Sequence, residues 1–182
     1  MEKIEHYINI IKMHNRPWSD FEKSVFIIIL CLTMVFCIYG IIKKKLKLYQ
    51  AIAIIGYVVC ICFLYATTIF TRAPFGSHEF RCRLGLDLRL FLAGVQSEWD
   101  QVILNIILFM PFGVLWPVIR RNKCSICEVI FIGLVLSLSV EIAQYITMRG
   151  VMDVEDVITN VIGAFLGGVI AKISTQIYSK SV

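Results

Sequence analysis

Five apolar runs, at about residues 25–42, 48–70, 102–119, 129–148 and 154–177, leave this chain few ways to fold. A helix crosses the hydrocarbon core of a bilayer with roughly 20 consecutive apolar residues, and each run is close to that length. Lipid offers no partner to backbone N–H and C=O groups, so such runs satisfy them internally, as helices. The expected fold is all-α: an integral membrane bundle of about five transmembrane helices over residues 25–178, behind a polar leader at 1–24. Only 17% of the 182 residues are charged, whereas a soluble domain carries about a quarter.

The leader mixes acidic and basic residues and lacks the pattern of a cleaved signal peptide. Ile4, Tyr7, Ile8 and Ile11 fall at helical spacing, which allows a short amphipathic helix on the membrane surface or a partly ordered tail. Seven cysteines suggest no disulfide framework: Cys31, Cys37, Cys60 and Cys62 lie in apolar runs and act as small hydrophobes. Cys124-Ser-Ile-Cys127 is a single C-x-x-C pair, weak ground for zinc or redox chemistry, and Cys82 has no evident partner.

The net charge of +5 is read as a topology signal rather than as nucleic-acid binding. The loop at 43–47 has four Lys and the loop at 120–123 three basic residues, against one, Arg149, in the acidic loop 149–156. This places 43–47, 120–123 and the C-terminus inside, and the N-terminus, 71–100 and 149–156 outside. Trp18, Trp99 and Trp116 stand near run ends, as interfacial anchors do. Leu84–Phe91 is too short to span and could lie in the interface, and Pro111 should kink the third helix.

Polar residues inside such runs are expensive and mark functional sites. Glu141 and Gln144 share a face of the fourth helix, being three apart. Asp153, Asp156, Asn160, Gly163 and Gly167 advance by three, four, three and four, one stripe along the fifth. Arg149-Gly150 joins the two helices in a tight turn, which makes them antiparallel neighbours. With a rise of about 1.5 Å per residue, Glu141, Asn160 and Asn105 each lie roughly 8–10 Å below the outer surface. Arg72, Arg149, Asp153 and Asp156 stand above them, converging on one outward polar pocket.

Bland readings exist for most of these. Asn105, Gln144 and Asn160 could be interhelical hydrogen-bond glue, and Gly163-x-x-x-Gly167 a close-packing seam. Asp153, Glu155 and Asp156 open a helix, where carboxylates favour the dipole and cap free donors; Glu155, off the stripe, reads as only that. Arg149 could pair with one of these acids. Glu141 resists such treatment, because a carboxyl at that depth must be protonated, paired or solvated.

In this ordered set the sequence resembles the VanZ-like family of bacterial membrane proteins. The matching residues run from Asn105 through Phe109 to Pro111-Phe112-Gly113, then Ser139-Val140-Glu141 with Gln144, Arg149-Gly150, Asp153, Asp156, Asn160, Gly163 and Gly167. Arg72 resembles the family's arginine at the end of the second span. The resemblance covers about residues 100–168 and implies a multi-pass protein of the bacterial cytoplasmic membrane. The family's founding member gives low-level resistance to the glycopeptide teicoplanin.

The leading expectation is that Arg72, Asn105, Glu141, Gln144, Arg149, Asp153, Asp156 and Asn160 bind a lipophilic glycopeptide or a lipid-linked cell-envelope precursor. A second is a membrane enzyme acting on such a substrate, with Glu141, Asp153 and Asp156 as acid and base. No His or thiol stands in the cluster as a nucleophile, so the chain leans away from enzyme chemistry. A third is a small transporter or a membrane interaction partner, though no internal repeat supports transport. Asp153 and Asp156 could take a divalent cation, but no spacing demands a metal, and no cofactor is expected.

Overall fold

The computed structural model describes residues 17–74, 76–82, 89–90, 92–94 and 96–180, without the side chains of 96–99 and 176–180. The candidate leader helix at Ile4–Ile11, most of Leu84–Phe91 and the Trp99 side chain lie outside the described residues. The elements in order are α1 (Asp20–Ile42), α2 (Leu48–Tyr65), a π-helical turn (Ala66–Phe70), β1 (Glu79–Arg81), α3 (Gln96–Ile119), α4 (Ile126–Thr147), β2 (Val151–Asp153) and α5 (Val154–Lys180). Five helices are long and apolar enough to cross a membrane, and the fold is all-α apart from the two short strands.

Helix α1 starts at Asp20, so the last residues of the polar leader form its first turn. Ser19 Oγ accepts from the Glu22 backbone N–H at 3.2 Å and Glu22 Oε2 accepts from the Ser19 N–H at 2.8 Å, a reciprocal cap. Helix α3 continues unbroken through Pro111 and Pro117. It packs along α5 in the most extensive contact of the bundle. Glycine permits that approach: a Cβ on Gly163 would strike the Ile106 carbonyl, and one on Gly167 the Met110 carbonyl. In lipid there is no hydrophobic drive between helices, so such close backbone packing carries much of their association.

Leu64 of α2, Phe109 and Phe112 of α3 and Val140 of α4 form the buried apolar centre. Outward residues such as Ile27, Leu32, Val35, Phe131 and Ile146 are apolar and exposed, as a lipid-facing surface requires. The basic loops meet at one end of the bundle, where Arg121 Nη2 donates to the Lys45 carbonyl at 2.9 Å and Arg121 Nε to Gln50 Oε1 at 3.0 Å.

At the opposite end the tight turn at Arg149-Gly150 is followed by an element that the sequence does not announce. Between α4 and α5 the chain forms β2, which pairs in parallel with β1 through Glu79–Val151, Phe80–Met152 and Arg81–Asp153. Three residues carry no usable period, and partners about 70 positions apart leave no local signal. The pairing fixes the segment after α2 over the α4–α5 connection.

Candidate functional site

Helix α4 ends by turning left-handed at Met148 (φ 53°), whose N–H reaches back to the last turn. Gly150 then passes against the Gln144 side chain, leaving 2.9 Å for any Cβ. That tight passage returns the chain to the level of Glu141. The Glu141 carboxylate, 2% exposed, accepts from the Asp153 backbone N–H at 2.8 Å. Asp153 Oδ1 in turn accepts from the Glu155 N–H at 2.9 Å, so Asp153 caps α5 and Glu141 holds the cap.

Asp153 Oδ2 is buried and makes no hydrogen bond among the described residues; Arg81 Nη1 stands 3.6 Å away as its ionic partner. One turn on, Asp156 Oδ1 accepts from Gln101 Nε2 and Asn105 Nδ2, both at 2.8 Å. Asn105 Nδ2 also lies 3.3 Å from Thr159 Oγ1. Asn160 Nδ2 donates to Ser137 Oγ at 3.0 Å, while Asn160 Oδ1 is buried without a hydrogen bond among the described residues. Three helices therefore contribute: α3 through Gln101 and Asn105, α4 through Ser137 and Glu141, and α5 through Asp156 and Asn160.

The second span joins them through its π-helical turn. The turn's wider winding brings the Thr68 carbonyl to Gln144 Nε2, which donates to it at 3.2 Å. Such turns recur at functional sites because they break the regular ladder and redirect the following residues. Two residues beyond it stands Arg72, half-buried. Burial pushes its guanidinium below the usual value, opposed by the negative charges of Asp156 and then Glu141. An arginine nevertheless stays protonated in a protein, so Arg72 brings a fixed positive charge to these carboxylates. His78 Nδ1, 2.7 Å from the Tyr145 carbonyl, ties the segment after Arg72 to the end of α4.

The structure thus brings Arg72, Asn105, Glu141, Gln144, Asp153, Asp156 and Asn160 to one end of the bundle. Arg149 lies half-buried at the same end, and among the described residues it makes no ion pair. Glu155, read as only a helix-start acid, is buried at 6% exposure. Sequence reasoning passed over Gln101, Ser137, Thr159 and Arg81, each ordinary in its own stretch and significant only across helices. Asp100, one residue before Gln101, is buried at 5% exposure. Cavities of about 250 and 220 Å³ lie elsewhere, between α1 and α2 and at the basic end.

Chemically, the cluster sets buried Glu141 and Asp153 and half-buried Asp156 at one end of the bundle with three half-buried arginines: Arg72, Arg81 and Arg149. Guanidinium groups suit planar, bidentate recognition of carboxylate or phosphate. Among the described residues no group of three or more His, Cys, Asp or Glu could hold a metal ion. The thiols of Cys82, Cys124 and Cys127 are free, with Cys124 buried and the other two exposed.

No solved structure matches the chain. Over 71 residues it is 45% identical to Protein VanZ of Enterococcus faecium, a match taking in 39% of this chain and 44% of that protein. The chain thus aligns with less than half the length of that relative. Residues 77–175, which hold β1, β2, the α3–α5 seam and every cluster residue except Arg72 and those of the π-helical turn, match the VanZ/LLP1 family, and the chain belongs to it.

Proposed function

We propose that this multi-pass membrane protein binds a lipophilic glycopeptide antibiotic, or a lipid-linked cell-envelope precursor, at its polar end and contributes to teicoplanin-type resistance. One observation carries the reading. Buried Glu141 of α4 and Asp153 of β2, with half-buried Asp156 of α5, share one end of the bundle with Arg72, Arg81 and Arg149, whose half-buried side chains remain accessible to a ligand. Holding that many charged groups at a membrane boundary is costly, which argues for a use beyond stability. A glycopeptide with acyl chain, carboxylate and amine has groups for the lipid, for the arginines and for the acids.

The end bearing the cluster faces outward in this reading, with the N-terminus outside and the C-terminus inside. Its support is the opposite end, where Lys43, Lys44, Lys45, Lys47, Arg120, Arg121 and Lys123 gather in two short loops. The test is teicoplanin susceptibility of a sensitive host expressing the protein or Glu141→Gln at equal membrane levels. Resistance should fall at least fourfold in the variant, and unchanged resistance would remove Glu141 from the site.

A further inference from the structure

At the basic end, a cavity of about 220 Å³ opens between the last turn of α3 and the far part of α5, lined by Pro117, Asn122, Lys172 and Thr175. Its depth is set by Trp116, whose Nε1 donates to Glu128 Oε1 at 3.0 Å. An indole with an apolar body and a polar N–H sits at headgroup level, and the cavity begins one residue later. Lys172 lies three residues before the end of the fifth span, at the same level.

The backbone beside the cavity is strained. Arg121 and Asn122 are successive non-glycine residues at φ 54° and 58°, a region such residues seldom adopt. The Asn122 N–H, donating to the Pro117 carbonyl at 2.7 Å, holds this turn and sets Asn122 on the cavity wall. Strain of this kind persists where the surroundings enforce it, and it gathers at ligand sites.

The charges are unevenly matched. Glu128 is engaged by Arg120 Nε at 2.9 Å as well as by Trp116. Arg121 is engaged by Gln50 and the Lys45 carbonyl. Among the described residues Lys172 makes no ion pair, although it lines the cavity. A single ammonium, an amide and a basic surround at headgroup depth suit one negative charge with oxygen acceptors. We propose that this cavity binds the headgroup of an anionic membrane phospholipid, its phosphodiester between Lys172 and Asn122.

Native mass spectrometry of the detergent-solubilised protein, titrated with phosphatidylglycerol or phosphatidylcholine, tests this. Wild type should retain phosphatidylglycerol about fivefold better, the weight of one lysine at an anionic surface. Lys172→Gln should abolish that preference and Lys172→Arg should keep it, with unchanged helix content by circular dichroism in both. Asn122→Ala should weaken retention of phosphatidylglycerol by about twofold or more. Equal retention of the two lipids by wild type, or a preference that survives Lys172→Gln, overturns the proposal. Displacement of phosphatidylglycerol by millimolar inorganic phosphate overturns it too, assigning the cavity to a free anion.

Discussion

Glu141 does two separable things. Its carboxyl receives the Asp153 N–H and so holds the start of α5, and it sets an ionisable group beside Arg72. Glu141→Leu removes both and leaves a buried N–H unpaired, which costs about 2 kcal/mol. Glu141→Gln keeps an acceptor oxygen and loses only the ionisable proton. Thermal unfolding in detergent should therefore show Glu141→Leu clearly destabilised and Glu141→Gln close to wild type. Equal melting of the two would deny Glu141 the role of holding the α5 cap. The carboxylate stood out in sequence because an ionisable group in an apolar run has no bland account. Asn105, Asp156 and Asn160 were visible as polar residues at matching depth or on one stripe, although each also has a structural reading. Gln101, Ser137 and Thr159 were not, since each has an ordinary place on its own helix and acquires meaning only from partners 23 to 55 positions away.

At the level of elements, the spans were legible because length and hydropathy decide them, but the joints between them were not. The π-helical turn at Ala66–Phe70 has no composition of its own, being ATTIF at the end of an apolar run. Its wider winding absorbs one extra residue, so a further alanine inserted after Tyr65 would rotate everything beyond by about 100°. Arg72 would then leave the carboxylates and the Thr68 carbonyl would leave Gln144. Such an insertion should preserve helix content while removing any resistance phenotype; an insertion variant that still protects would make the placing of Arg72 and Thr68 incidental. The α3–α5 seam behaves differently, because its glycines meet backbone rather than movable side chains. Gly163→Leu has to push the Ile106 carbonyl aside, an overpacking cost of about 2 kcal/mol or more. It should lower the midpoint of thermal unfolding well beyond a substitution at exposed Ile162, and equal midpoints would mean that the helices are not so closely seated.

For the whole molecule, the question is which end meets the outside. The two ends differ in kind: one gathers lysines and arginines in short loops, and the other sets acids beside arginines around a small parallel sheet. The distribution of basic residues reads as a cytoplasmic end at 43–47 and 120–123. The protein carries its own reporters for this, because Cys82, next to β1, and Cys127, in the first turn of α4, are both free and exposed at opposite ends. The remaining thiols are buried, half-buried or, like Cys31, on the apolar face of a span. A membrane-impermeant maleimide added to intact cells should label Cys82 and spare Cys127, with Cys127 reacting only after permeabilisation; Cys82→Ser should abolish labelling of intact cells. The reverse pattern would turn the polar cluster toward the cytoplasm. The arginines there would meet soluble precursors rather than an antibiotic arriving from outside, so this labelling decides between two classes of ligand before any ligand is identified.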